Sequence, residues 1–273
     1  MNDTLPLHAA MDDRDPTLAP RPLDPHPFSR VAKAGVVLAA LSLAMLLLSG
    51  PGTRAGLWDF RVGLSLFKYA AYLAFPAALV CIAGAVLARP GSGRRGFAPA
   101  LLGAVVALGI AGLAVGLVRK AQGVPPIHDI TTDTQNPPAF VAVLPARRLT
   151  ALNPAGYEGE KVAAQQRQAY PDIKPMMLAL TPDSAFAVAQ AAAKEMGWRM
   201  VDANRQEGRI EATDVTAFFG FQDDVVIRVM PASGITRLDV RSESRVGGSD
   251  IGTNAKRVRA FLAKMKAYEA VAG

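Results

Sequence analysis

The chain has 273 residues, 51% of them hydrophobic, and a mean hydropathy of +0.20, too apolar for an ordinary water-soluble protein. Its net charge of +7 sits in the N-terminal part: residues 1–120 carry twelve Lys and Arg against six Asp and Glu, and residues 121–273 carry eighteen against seventeen. A nucleic-acid binder would concentrate positive charge on its docking domain, so that class is set aside; with Cys81 as the single cysteine, no intrachain disulfide or cysteine-based metal site can form.

Residues 1–30 hold six prolines (Pro6, Pro16, Pro20, Pro22, Pro25 and Pro27) and no apolar period, which predicts a disordered tail. Three apolar runs follow, at 34–50, 69–88 and 97–118. A bilayer core of roughly 30 Å needs about 20 helical residues, and each run is close to that. Residues 31–120 are therefore expected to form a three-helix transmembrane region, with the lipid bilayer as its first partner.

Lys and Arg favour the cytoplasmic side of a membrane. With the N-terminus inside, that side carries Arg14, Arg21, Arg30, Lys33, Arg89, Arg94 and Arg95. The other side carries Arg54, Arg61, Arg119 and Lys120, with Lys68 able to snorkel. This bias predicts a bacterial inner membrane protein, multi-pass, with its C-terminal domain in the periplasm. Gly112 and Gly116 form a small-residue pair with Gly109 nearby, and packing among the three helices of one chain is expected there rather than a dimer seam. No acidic residue lies within the runs, which gives an ion-coupled transporter little support.

Residues 121–169 read as a Pro-rich linker or strap with a short helix at 159–168. X-Pro steps such as Val124-Pro125-Pro126 and Asn136-Pro137-Pro138 disfavour helix. Residues 170–273 read as a soluble α+β domain. Thr181 caps a helix that opens on Pro182 and stops at Gly197. Strands are predicted at 198–203, 209–219, 224–230 and 235–245, joined by tight turns into an antiparallel meander. A last helix, 250–268, carries the stripe Ile251, Ala255, Val258, Leu262 and Met265, with Arg257 among its outward charges. The predicted fold is a two-layer domain with a four-stranded antiparallel sheet and both helices on one face.

Several ordered segments resemble a known family. They are Tyr170-Pro171-Asp172-Ile173, Gly208-Arg209-Ile210-Glu211-Ala212-Thr213, 220–228 from Gly220-Phe221-Gln222-Asp223-Asp224, and 239–250 from Asp239-Val240-Arg241. With Asp129-Ile130-Thr131-Thr132-Asp133 and Asn136-Pro137-Pro138-Ala139-Phe140 upstream, they are similar to the bacterial and plastid domain of unknown function 1499 over about residues 127–265. The resemblance implies a membrane-anchored member and supplies no catalytic residues.

One polar cluster stands out as a candidate ligand site: Asp223, Asp224, Arg241, Ser242, Ser244, Arg245, Ser249, Asp250 and Asn254. Arginine forks beside a helix N-terminus suit a phosphate or carboxylate. The plainer reading, which weighs more, is cross-strand pairing on an exposed sheet face, with Asp250 as a helix cap. His128, beside Asp129 and Asp133, lacks the further ligands a metal site needs and is expected to be a solvated linker histidine. No metal or cofactor is expected, and no nucleophile motif or nucleotide fingerprint occurs. The leading expectation is a non-enzymatic tethered domain that binds an envelope protein, lipid or small anionic ligand. The alternatives are an enzyme using Asp223 or Asp224 as base with Arg241 or Arg245 holding an anion, and an assembly component acting through its helices. The oligomeric state is left open.

Overall fold

The structure, a computed structural model, describes residues 26–272. The disordered tail expected over 1–30 falls mostly outside them. At its described end, Ser29 N donates to Arg95 O and Arg95 N to Pro27 O, so 27–29 pair with the chain just before the third helix.

Three long helices come first: α1 (Arg30–Arg54), α2 (Phe60–Leu87) and α3 (Phe97–Gln122). All three are long and apolar enough to cross a membrane. Ser29 and Asp59 cap the first two, their side chains accepting from Ala32 N and Arg61 N. The bundle is built small side inward. Ala39, Ala74, Ala77, Cys81, Ala104 and Ala107 are buried, whereas Leu79, Leu102 and Val105 are 70%, 65% and 61% exposed. In water that arrangement would be costly; helices in lipid adopt it because small residues let backbones approach while large ones meet acyl chains. The close approaches occur at Gly35 against Cys81, Gly84 against Ala32 and Gly103 against the Cys81 sulfur. Gly109, Gly112 and Gly116 meet nothing within 4 Å, which corrects the expectation that they pack within the chain. The first two helices converge on the face of α3 that carries Gly103 and Ala107 instead.

The remaining elements are β1 (Asp129–Thr131), α4 (Leu144–Thr150), α5 (Glu160–Ala169), β2 (Met176–Leu178), α6 (Pro182–Glu195), β3 (Arg199–Asn204), β4 (Arg209–Val215), β5 (Gln222–Ala232), β6 (Ile235–Ser244) and α7 (Thr253–Ala272). The α+β class holds, but the antiparallel sheet has six strands, not four, in the order β1-β6-β5-β4-β3 with β2 also on β6. The two additional strands lie end to end along the outer edge of β6: Asp129 opposite Glu243, and Met176 opposite Leu238. Three residues each, they are too short to show an alternation. The folded domain therefore takes in 127–169, most of the segment read as a Pro-rich linker or strap with a short helix.

The β1 edge is closed by a side chain. Gln166 of α5 accepts from Thr131 N (3.0 Å) and donates to Thr131 O (2.6 Å), standing in for the next strand. Helices α6 and α7 cover one sheet face, packing Phe186, Ala189, Val258, Phe261 and Met265 onto Ile210, Val225, Ile227, Leu238 and Val240. The fully buried ring is Phe261, stacked on Trp198 at 5.4 Å, rather than the partly buried Leu262 of the predicted stripe.

The opposite face is not open to solvent. The strap 132–157 crosses it, with α4 in its middle, and seats Phe140 and Val143 on Val226. Glu211 holds the strap by accepting from the backbone nitrogens of Val141, Ala142 and Val143 at 2.9, 3.0 and 2.9 Å. Helical cover thus exists on both faces, correcting the expectation of helices on one face only.

Candidate functional site

Successive strand residues point to opposite faces, and β5 opens with Gln222-Asp223-Asp224. Asp223 accordingly shares the α7 face with Asp214 and Ser244, whereas Asp224 shares the strap face with Thr213 and Glu243. The predicted cluster is divided by the sheet and does not converge on one point.

On the strap side lies a layer of ion pairs. Arg147 of α4 donates to Asp224 Oδ2 at 2.9 Å and to Glu243 Oε1 at 2.8 Å. Arg245 donates to both oxygens of Asp224, at 2.9 and 2.8 Å, and Thr213 Oγ1 adds a bond at 2.7 Å. Arg241 grips Asp129 with Nε (3.0 Å) and Nη2 (2.8 Å), and Nη2 also reaches Glu243 Oε2 at 3.2 Å. Its guanidinium sits 4.7 Å from the Phe140 ring centroid, a cation–π arrangement. All six of these charged side chains are buried. Three arginines face three carboxyl groups, so the desolvation of each guanidinium is offset by its partners. The pattern continues along the strands, where Asp239 pairs with Arg228 and Arg237, which both also reach Asp133.

Asp129 and Glu243 stand opposite each other in register and share Arg241. Burial, reinforced by the Asp129 charge, pushes the Glu243 carboxyl up to about 8. Burial also raises Asp129, against the pull of Arg241. Arg147 Nε and the Tyr157 hydroxyl are buried here without a hydrogen-bond partner among the described residues.

On the helix side, Arg257 of α7 donates to Asp223 Oδ2 at 2.6 Å, Asp214 Oδ2 at 2.8 Å and Ser242 Oγ at 3.0 Å. Asn254 Nδ2 donates to His128 O (2.8 Å) and Ser244 Oγ (3.0 Å), and Ser242 Oγ donates to Asn254 Oδ1 (2.8 Å). This knot joins β1, β6 and α7. Asp250 accepts from Gly252 N and Asn254 N at the start of α7, the role of a helix cap, and burial raises its carboxyl. Ser249 is exposed beside it, its hydroxyl accepting from Ile251 N.

Three expectations are corrected by this geometry. The sheet face on which the charged side chains of β6 pair (Arg237, Asp239, Arg241, Glu243 and Arg245) is not exposed, because the strap covers it. Arg257 is 6% exposed, drawn inward by two carboxylates rather than solvated. His128 is buried, its carbonyl accepting from Ser244 N and Asn254 Nδ2, and is not a solvated linker residue. The residues missed at the site are Arg147, Asp129, Glu211, Glu243 and Arg257. Asp129, Glu211 and Glu243 stood inside the quoted motifs; Arg147 had no local signal.

Two clefts open on the surface. One, of about 310 Å³, lies where α3 ends and is lined by Gln122, Val124, Pro125, Gln165 and Gln168. Another, of about 230 Å³, lies at the far end of the sheet between Asp183, Phe186, Arg205 and Met230.

These features define a class: an α+β domain with an internal layer of ion pairs, carried on three helices apolar enough for a membrane. The family model described as a protein of unknown function, DUF1499, matches residues 129–265, and the chain belongs to that family. The match begins at the first residue of β1 and takes in Arg147, so it covers the strap as well as the sheet. No curated protein matches the chain.

Proposed function

We propose that this membrane protein is a non-enzymatic binding module, held on the periplasmic face of a bacterial inner membrane, whose ligand is a phospholipid headgroup. The supporting observation is the cleft at the end of α3. It begins within one turn of Arg119 and Lys120, which close the last candidate span. Basic residues at that height attract anionic headgroups. The amides of Gln122, Gln165 and Gln168 offer both donors and acceptors to a headgroup, and Val124 and Pro125 give it an apolar wall. The charged residues of the predicted cluster, in contrast, are engaged with one another, which supports a scaffolding role for them. Catalysis by Asp224 would require it to leave four hydrogen bonds from Arg147, Arg245 and Thr213.

The test is native mass spectrometry of the protein released from nanodiscs of mixed lipids. One retained anionic lipid, lost when Gln165 and Gln168 are both replaced by alanine, supports the reading. Retention that the double variant leaves unchanged counts against it. Turnover of an envelope component, abolished by Asp224→Asn in protein that stays folded, would favour the enzymatic alternative. Function that fails when the three helices are exchanged for an unrelated anchor would favour an assembly role. The side of the membrane is tested by protease digestion of spheroplasts, in which a periplasmic domain is cut.

A further inference from the structure

The turn between β4 and β5 reads Thr216-Ala217-Phe218-Phe219-Gly220-Phe221, three rings in six residues at the tip of a hairpin. It is a tight structure. Thr216 N donates to Phe221 O (2.8 Å), Gly220 N to Thr216 O (3.0 Å) and Phe221 N to Thr216 Oγ1 (2.8 Å). Phe219 stacks on Phe221 at 5.2 Å and meets Phe218 edge-on at 5.1 Å. A hairpin tip in water normally carries polar turn residues, so a cluster of rings there calls for an apolar neighbour.

That neighbour is in part the α1–α2 hairpin. Phe221 lies 6.1 Å from Phe60 and Phe219 lies 6.3 Å from Phe67. Arg54 Nη1 donates to Ala217 O at 2.5 Å. Phe218 rests on Gly50, where a Cβ would come within 2.3 Å of the ring as it lies. These contacts fix the height of the loop twice over. Gly50 is the last residue of the first apolar run, and Phe67 directly precedes Lys68 and the second run. Both helices therefore place the loop where the hydrocarbon ends. Tyr69 and Tyr72, 53% and 64% exposed, follow within about a turn and a half of Phe67 on α2, with Lys68 over the Tyr69 ring at 5.1 Å. Aromatic rings with basic neighbours mark the membrane–water boundary.

The helices do not cover the loop completely. Phe218 remains 40% exposed, as do Val215 (39%) and, on the α1–α2 turn, Leu57 (71%). We infer that loop 216–221 is a bilayer-contacting foot: Phe218 and Phe219 enter the headgroup–acyl boundary beside α1 and α2. The partner is the lipid surface itself, continuous with that around the spans, and Arg54 and Arg61 supply cations for its phosphates. The foot sets the domain in a fixed orientation on the membrane, whatever the domain binds; it does not depend on the cleft at α3.

The experiment uses the full-length protein in nanodiscs of neutral and anionic phospholipid, with no other protein present. In a Cys81→Ala background, a nitroxide is attached at Phe218→Cys and, separately, at Leu149→Cys, an 86% exposed position on α4. Oxygen and nickel-chelate accessibilities then report depth. The label at 218 is expected at roughly 5–10 Å below the phosphates, the range for interfacial apolar groups, with the label at 149 in water. A label at 218 as open to the chelate as that at 149 overturns the inference and means that the aromatic face awaits a protein. Because the label replaces a ring, the unmodified protein is also irradiated with lipid carrying a headgroup-proximal diazirine. Adducts within 216–221 are expected; adducts confined to the three helices overturn it.

Discussion

Asp223 and Asp224 are neighbours in the chain, yet their carboxylates lie on opposite faces of the sheet, one held by Arg257 and the other by Arg147 and Arg245. The sheet thus separates two charged networks of different kinds. Asp224 is fully buried between two arginines that are themselves 3–4% exposed, while Arg257 has a second carboxylate, Asp214, that reaches the surface.

The two aspartates should differ when neutralised. Asp224→Asn leaves two buried guanidinium groups short of a counter-charge and is expected to cost about 3 kcal/mol. Asp223→Asn leaves Arg257 paired with Asp214 and should cost about 1 kcal/mol. Denaturant unfolding of the purified protein, followed by tryptophan fluorescence, measures both. Equal losses, or the reverse order, would remove the distinction between the faces.

Stability should fall as the solution becomes alkaline, through Glu243. Its folded carboxyl keeps a proton up to about 8, against 4.5 as the ordinary value. Between those values the folded state binds more protons than the unfolded one, so stability present below about 4.5 is progressively lost and is gone above about 8. Glu243→Gln imitates the protonated form. The variant should show a flatter stability profile from pH 5 to pH 8 and should exceed the parent at pH 8.5. An unchanged slope would show that Glu243 is not the group that titrates.

Glu211 fixes the strap by three backbone hydrogen bonds. Glu211→Gln keeps the shape but halves the accepting capacity, and about 2 kcal/mol should be lost with it. Hydrogen exchange followed by mass spectrometry should show faster exchange in 139–145 while the β5 and β6 amides stay protected. Uniform acceleration across the domain would instead mean that strap and sheet unfold together.

The glycines of the helical bundle should divide into two groups. Gly84→Val drives its side chain into Ala32, where even a Cβ falls 2.6 Å from a backbone atom, and should cost about 1–3 kcal/mol. Gly112→Ala meets open space and should be neutral or stabilising by up to about 1 kcal/mol through helix propensity. Thermal unfolding in detergent distinguishes them. A destabilising Gly112→Ala would reveal a partner on that face of α3.

Much of the architecture was legible in the residues. The Thr181 cap, the period-2 pattern of Val225, Ile227 and Val229, and the stripe of Ala255, Val258 and Met265 each placed an element within a few positions of where it lies. The candidate site was legible only as a set of residue types. Asp223 and Asp224 were placed in one cluster, yet their adjacency on a strand is the reason they are apart. The short strands β1 and β2 gave no period, and the Phe-rich turn at 216–221 looked like the end of a strand.

Taken alone, the sequence determined where chain meets lipid and which strand residues share a face, because both follow from spacing along one segment. It did not decide what covers each face. Alternation puts Arg241, Glu243 and Arg245 on one side whether water or protein lies there. The cover is an irregular, Pro-rich strap without period, and its key contacts join residues distant in sequence: Arg147 to Asp224 across 77 positions and to Glu243 across 96. Burial of charge is a property of such distant pairs, since each ion can leave water only when its partner arrives from another part of the chain.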